Sequence, residues 1–166
     1  MEIKVMGLRD AFDYITDKPT YAIRISSFWT SFAERSVPIR GDYKIVREYV
    51  FDDIGKNGER QESWYEPNWW INVKRFDEDI AEKIIKDFIE GRDGCERLLI
   101  HCHKGKSRGP AVARALNEIF TLGWDGKSAN GSYMGNNKLV YETLIETAKK
   151  MGVYNHTIMV ASVPTL

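Results

Sequence analysis

The stretch LLIHCHKGKSRGP, residues 98–110, decides the fold of this chain. Its apolar start at 98–100 is bounded by turn-forming residues, which is typical of a strand buried on both faces of a parallel sheet. Its end favours a helix, because Pro110 fits a first helical turn without losing a needed hydrogen bond. The apolar face of that helix consists of Val112, Ala115, Leu116 and Ile119. The stretch therefore predicts a buried strand, a polar loop and a helix in succession.

Helical and strand patterns alternate on both sides of this stretch. A first helix has apolar residues at helical spacing and stops before Pro19. That apolar face consists of Leu8, Ala11, Phe12 and Ile15. Strands are predicted at 21–25 and 44–51, where β-branched and aromatic residues are dense. The last helix runs from about residue 137 to residue 151 and stops at Gly152.

Another helix pattern begins after Asp77, whose side chain suits an N-cap, and ends at Gly91. One face of this helix is apolar along its length. Its members are Ile80, Ala81, Ile84, Ile85, Phe88 and Ile89. Together these elements predict an α/β fold with a central, mostly parallel sheet flanked by helices.

One domain covering residues 1–166 is expected, because 166 residues with 43% hydrophobic content can form one proper core. In an open α/β sheet, ligands bind at the carboxyl ends of the strands. The loop at 101–108 follows the buried strand. It therefore lies at such an end and becomes the candidate site.

The net charge gives no sign of nucleic acid or a membrane surface as the main partner. The 24 Lys and Arg residues balance 24 Asp and Glu residues, so neither nucleic acid nor a membrane is expected as a partner. The first residues, MEIKVM, lack the apolar core of a signal peptide, and we expect a cytoplasmic protein. An extended run separates Cys95 from Cys102 and holds their sulfurs too far apart for a disulfide. We expect two free thiols.

The loop from Cys102 to Arg108 has the features that a bound phosphate requires. Gly105 permits the backbone conformations in which successive N–H groups point at an anion. The helix that begins near Arg108 directs its positive dipole end at the loop. The guanidinium of Arg108 can hold two phosphate oxygens at once, which a lysine cannot do. The predicted phosphate-binding loop also contains His103, Lys104, Gly105, Lys106, Ser107 and Gly109.

Cys102 is predicted to lie at the floor of this loop. A free thiol has a pKa of about 8.5, which helix dipoles and cations can lower to as little as ~3.5. The resulting thiolate can attack phosphorus in line and form a phosphocysteine. The sequence therefore predicts Cys102 as a nucleophile and Arg108 as the group that stabilises the transferred phosphoryl oxygens.

The order His101-Cys102, five residues and Arg108, with Gly105 third of the five, resembles the signature loop of the protein tyrosine phosphatase superfamily. The likeness is greatest to the small dual-specificity branch and to related small microbial phosphatases, and it extends diffusely over about 21–151. It implies a tyrosine-phosphatase-like fold and a cysteine-dependent phosphomonoester hydrolase without a cofactor. It also implies that His101 orients the loop through a hydrogen bond to the backbone near the cysteine.

Gly109 departs from the family pattern. The family usually has Ser or Thr after the arginine, and this hydroxyl stabilises the leaving thiolate when water breaks the phosphocysteine. Ser107 is adjacent but faces elsewhere in the family pattern, so the resemblance does not give it this role. A phosphate-binding module with impaired turnover is therefore an alternative to an active enzyme.

Expulsion of the leaving group needs a proton donor on the far side of phosphorus. The family supplies it from an Asp on a loop upstream of the cysteine, and the sequence FDDI at 51–54 resembles that loop. The resemblance implies Asp53 as the general acid, with Asp52 second. Paired Asp residues also end strands at solvated turns. Asp77 and Asp79 come third, because they fit a helix N-terminus better.

Other chemistries fit the loop less well. An ATP-binding P-loop needs a second glycine five positions before Gly105, where Ile100 stands. Adjacent residues at 101–103 cannot converge on one metal ion without strain, and no metal is expected. Aromatic residues in the long loop after the acid are suited either to wall a pocket or to pack that loop against the body. They are Trp64, Tyr65, Trp69 and Trp70.

The substrate class stays open at this point. His103, Lys104 and Lys106 make the rim more basic than one phosphate requires. Lys106 stands where lysine occurs in family members that act on phosphoinositides and inositol pyrophosphates. The same lysines are equally explained as solvated rim charges. The expected partner is a phosphorylated protein or a small phosphate ester, with inositol phosphates and RNA 5′-phosphates as alternatives.

Overall fold

The computed structural model describes residues 1–28, 36–59, 73–128, 131–132 and 136–154. Its elements, in chain order, are β1 (Glu2–Gly7), α1 (Leu8–Asp13), β2 (Thr16–Ser26), β3 (Gly41–Val50), α2 (Glu78–Gly91), β4 (Arg97–Cys102), α3 (Arg108–Phe120), β5 (Lys127–Ser128), β6 (Gly131–Ser132) and α4 (Lys138–Lys150). The predicted α/β fold is confirmed. The aromatic residues Trp64, Tyr65, Trp69 and Trp70 lie outside the described residues.

Four strands form one sheet in the order β1-β4-β2-β3, and all three neighbouring pairs are parallel. β5 and β6 form a separate antiparallel pair. Every residue of β4 is buried, which explains why residues 98–100 are a continuous apolar run rather than an alternation. Gly7 at the end of β1 lies opposite Cys102 at the end of β4. The loop after Cys102 therefore opens at the carboxyl edge of the sheet.

The main hydrophobic core lies between one face of the sheet and the three long helices. Leu98, Ile100 and Cys102 of β4 point into this core. Each fully buried aliphatic side chain there contributes roughly 1.5–3 kcal/mol relative to exposure. The alternate residues, Leu99 and His101, are buried on the opposite face, since successive strand side chains point to opposite sides. Cys102 is thus directed towards α3, while His101 is directed away from it.

The helix boundaries predicted from caps are confirmed. Asp77 accepts a hydrogen bond from Ile80 N at 2.9 Å before α2, and Asn137 accepts one from Val140 N at 3.2 Å before α4. The prediction for Ile89 was wrong, because this side chain is 38% exposed. It lies about 100° around the helix from its buried neighbour, at the edge of the apolar stripe.

The N-terminal region differs from the prediction. β1 was not predicted, because only Ile3 of its residues is buried and the apolar pattern is correspondingly weak. α1 ends at Asp13, and Ile15 is 64% exposed rather than part of the helix. Pro19 lies within β2 instead of after a helix. The pairing with β3 shifts register around it, which accommodates a residue without an N–H.

Both cysteines are free, as predicted; Cys95 is half-buried and Cys102 is buried. Cys95 Sγ lies 3.8 Å from Gly91 O, at the end of α2. Burial raises the pKa of the Cys95 thiol. In the described ranges, no helix combines the length and the apolar character needed to cross a membrane.

Candidate active site

The loop after Cys102 is held against the end of β1. Gly105 has a φ of 69°, in the left-handed region that glycine enters readily. A Cβ at this position would lie 2.5 Å from Gly7 N, so any side chain would collide with that backbone. Leu8 N also donates to His103 O at 2.9 Å. The strand that sequence reasoning missed therefore helps to fix the candidate phosphate loop.

Cys102 is the last residue of β4 and is 1% exposed. The backbone N–H of Gly109, in the first turn of α3, donates to Cys102 Sγ at 3.4 Å. α3 is 13 residues long, so its N-terminus carries a full helix dipole. The sulfur thus lies where both an N–H group and the dipole stabilise negative charge.

Arg108 begins α3 and is fully buried. Its Nη1 donates to Ser27 Oγ at 2.9 Å and to Phe51 O at 2.8 Å. These acceptors directly follow β2 and β3, so the guanidinium bridges the carboxyl ends of neighbouring strands. Both acceptors are uncharged. They orient the guanidinium plane.

The structure separates the two adjacent acid candidates. Asp53 is 4% exposed, and its Oδ1 accepts hydrogen bonds from Ser107 Oγ at 2.8 Å and from Asn137 Nδ2 at 2.7 Å. Asp52 Oδ2 instead accepts from Lys74 N at 2.7 Å. Asp53 is therefore the candidate that the fold brings to the loop. Because Oδ1 already accepts two donors, a proton on Asp53 belongs on Oδ2.

The remaining acid candidates belong to the start of α2. Asp77 is the N-cap of that helix, and Asp79 lies in its first turn. Carboxylates at a helix N-terminus are stabilised by the unpaired N–H groups and by the dipole. Stabilisation of α2 therefore explains why both positions have an Asp.

His101 does not orient the loop as the resemblance implied. Within the described part of the chain, neither ring nitrogen has a hydrogen-bond partner. The strand alternation directs the ring to the face opposite Cys102. Burial, together with the positive charge of Arg24, lowers the pKa of His101 to about 4. The ring is therefore neutral at neutral pH. As the pH falls from 6.5 towards 4, His101 takes up a proton in the unfolded chain but not in the folded one, so the free energy of unfolding decreases.

The other loop residues divide into exposed and inward-facing side chains. Lys104 and Lys106 are exposed on the rim, whereas His103 and Ser107 are half-buried. The Ser107 hydroxyl points at Asp53, so it does not take the place of the hydroxyl that Gly109 lacks. The cationic rim therefore faces solvent, and the serine belongs to the acid's surroundings.

Two residues at the site, Ser27 and Asn137, were missed as functional candidates. Asn137 was predicted only as the start of a helix, although its amide also reaches Asp53. Ser27 contacts Arg108 from 81 positions away in the sequence. A contact over such a separation leaves no local spacing pattern. An Asn at a helix start, however, is a visible signal, because its amide has donors that the cap does not use.

Comparisons with protein-family models, with curated proteins and with solved structures find no match to this chain. A functional proposal therefore rests on the side chains that meet at the carboxyl edge of the sheet. They are Cys102, Arg108, Asp53, Ser107, Ser27 and Asn137.

Proposed function

We propose that this protein is a cysteine-dependent phosphomonoester hydrolase of the tyrosine-phosphatase type, acting through a phosphocysteine intermediate. One observation carries the proposal. Cys102 Sγ accepts the Gly109 N–H at the N-terminus of α3, and Arg108, which begins the same helix, has a buried guanidinium that Ser27 Oγ and Phe51 O orient. A nucleophile, a helix N-terminus and a guanidinium in one loop are the groups that bind and attack a phosphate dianion.

In the first step, Cys102 Sγ attacks phosphorus and the phosphorus–oxygen ester bond breaks. The leaving oxygen takes the proton from Oδ2 of Asp53, which becomes a carboxylate. The Arg108 guanidinium, together with backbone N–H groups of the loop, stabilises the three equatorial oxygens. The product is a phosphocysteine and a free alcohol or phenol.

In the second step, water attacks the phosphocysteine and gives a proton to Asp53, while the sulfur–phosphorus bond breaks and the thiolate returns. The Gly109 N–H, 3.4 Å from Cys102 Sγ, stabilises that leaving thiolate. A neutral hydroxyl from a serine or threonine would add a second donor, which this chain lacks at position 109. This absence favours a second candidate function, a phosphate-binding module whose intermediate breaks down slowly.

We propose a phosphoprotein as the substrate, in the manner of tyrosine or dual-specificity phosphatases acting in the cytoplasm. The exposed Lys104 and Lys106 favour an alternative, a polyanionic small molecule such as an inositol phosphate. A panel of phosphotyrosine peptides and inositol polyphosphates separates these substrate classes by kcat/KM. A higher kcat/KM for the inositol compounds would contradict the phosphoprotein proposal.

Phosphate release from a generic aryl phosphate tests the enzyme proposal. Wild type and Cys95→Ser are expected to release phosphate, and Cys102→Ser is expected to be inactive. Cys95→Ser is the matched control, because it makes the same substitution at the other free thiol. If wild type releases no more phosphate than Cys102→Ser, the enzyme proposal fails. Binding of inorganic phosphate to that inactive wild type would then support the binding module.

A further inference from the structure

Asn137 connects three parts of the site. It is fully buried and directly precedes α4. Its Nδ2 donates to Asp53 Oδ1 at 2.7 Å and to Ile54 O at 3.0 Å. Its backbone N–H donates to Ser107 O at 3.3 Å, while its Oδ1 accepts from Val140 N at 3.2 Å. Every polar group of this side chain therefore has a partner.

Capping of α4 accounts for only one side of the Asn137 amide. The cap needs an oxygen that accepts the Val140 N–H, and Ser, Thr or Asp supply such an oxygen as well. Of the preferred polar cap side chains, Asn alone also carries an NH₂ group with two protons. Both of those protons are directed at the segment that contains Asp53. The amide nitrogen therefore has a role that helix capping does not explain.

Ser107 and Asn137 form a closed ring of hydrogen bonds with the acid. Ser107 Oγ and Asn137 Nδ2 both donate to Asp53 Oδ1, and Asn137 N donates back to Ser107 O. The ring joins the phosphate loop, the acid segment and the start of α4. With Oδ1 held by two donors, the carboxyl group has one orientation, and only Oδ2 can carry a proton.

We propose that Asn137 is a positioning residue for proton transfer: it holds the Asp53 carboxyl group so that Oδ2 faces the leaving oxygen. This inference rests on the proposed phosphatase function. Without the amide nitrogen, Asp53 Oδ1 loses the Asn137 donor and the carboxyl group can rotate, so that its proton no longer stays on one oxygen. The loss affects only reactions whose leaving group needs that proton.

The dependence of kcat on the leaving group tests this role. p-Nitrophenyl phosphate has a good leaving group and little need of an acid, whereas phenyl phosphate has a poor one. Asn137→Ser keeps an oxygen for the cap and removes the amide donors. We expect it to lower kcat on phenyl phosphate about tenfold more than kcat on p-nitrophenyl phosphate, since one hydrogen bond to an ionisable group is lost.

Asn117→Ser is the matched control. The Asn117 side chain also uses both sides of its amide, because Oδ1 accepts from Trp124 N at 2.9 Å and Nδ2 donates to Trp124 O at 3.0 Å. It lies near the other end of α3 from Arg108. We expect Asn117→Ser to keep the wild-type ratio of the two kcat values. Thermal unfolding of each variant checks that it is folded.

The inference is overturned if active wild type and folded Asn137→Ser have the same ratio of kcat values, whether or not both values fall. If Asn137→Ser does not fold, Asn137→Asp decides. It keeps the shape and the cap oxygen but presents an acceptor to Asp53, and an unchanged ratio again overturns the inference. Wild type that hydrolyses neither substrate overturns the proposed function and this inference with it. Active wild type with a constant ratio overturns this inference alone.

Discussion

Arg97 and Arg108 are both buried, yet they lie at opposite ends of β4 and have different partners. Arg97 is 3% exposed and forms ion pairs with Glu2 at 2.9 Å and with Asp17 at 2.7 Å. Thr16 Oγ1 accepts a further hydrogen bond at 2.9 Å. Two carboxylates thus neutralise Arg97, which holds the amino ends of three strands together.

Arg108 Nη1 instead donates to two neutral acceptors at the other end of the sheet, Ser27 Oγ and Phe51 O. It begins α3, at the end of the loop that follows Cys102. Burial alone therefore does not distinguish a structural arginine from a ligand-binding one. Their places in the fold do: Arg97 pairs with carboxylates at the amino ends of the strands, whereas Arg108 lies at the carboxyl ends, where the candidate phosphate loop opens.

The largest difference in kcat/KM is expected between the two variants that replace one of these arginines by lysine. Arg108→Lys should lower kcat/KM on an aryl phosphate about 10²- to 10³-fold, because lysine cannot hold two transition-state oxygens together. Arg97→Lys should leave kcat/KM near the wild-type value and lower the free energy of unfolding by about 1–3 kcal/mol. Steady-state kinetics and urea unfolding measure both quantities. A comparable loss of kcat/KM in both variants would contradict the distinction.

The same comparison can be made between the adjacent carboxylates, with a smaller expected effect. Asp53→Asn should lower kcat on phenyl phosphate roughly 10²-fold, because the proton donor is lost. Asp52→Asn is the matched control and should remain close to wild type, since Asp52 is bound to Lys74 N rather than to the loop. Stopped assays on purified variants measure both rates. Wild-type activity in Asp53→Asn would refute the assignment of the acid.

The smallest effect concerns the second chemical step. A Cβ at position 109 would lie 3.4 Å from Cys102 Sγ and 3.2 Å from Val5 Cγ1, so a serine fits if the Val5 side chain moves slightly. Gly109→Ser should speed phosphoenzyme breakdown roughly 3- to 10-fold, the effect of one neutral hydrogen bond. Gly109→Ala is the control that adds a Cβ without a hydroxyl. An unchanged steady rate after the burst in Gly109→Ser would count against this role.

The elements that sequence predicted correctly have local signals. β4 contains a continuous apolar run, and α2 and α4 are preceded by Asp77 and Asn137, whose side chains cap them. β1 escaped because an edge strand with one buried residue has almost no pattern. Pro19 misled because a shift in strand register accommodates it, and such a shift depends on pairing with a distant strand. The structure of both segments thus depends on pairing with distant strands, which a local sequence pattern does not show.

The candidate site divides in the same way. Cys102 and Arg108 could be found because one continuous loop contains both. Asp52 and Asp53 could not be separated, since adjacent residues differ only in where the folded chain directs them. Ser27 approaches Arg108 across 81 positions and Asn137 approaches Asp53 across 84, so neither contact leaves a spacing pattern in the sequence.

Chemical trapping of the intermediate tests the central claim most directly. Wild type is mixed with an aryl phosphate, quenched in acid within the burst, digested and examined by mass spectrometry. The account predicts one phosphoryl group on Cys102 in wild type and in Cys95→Ser, and none in Cys102→Ser. Phosphate release by wild type with the phosphoryl group on another residue, or with activity retained in Cys102→Ser, would contradict it.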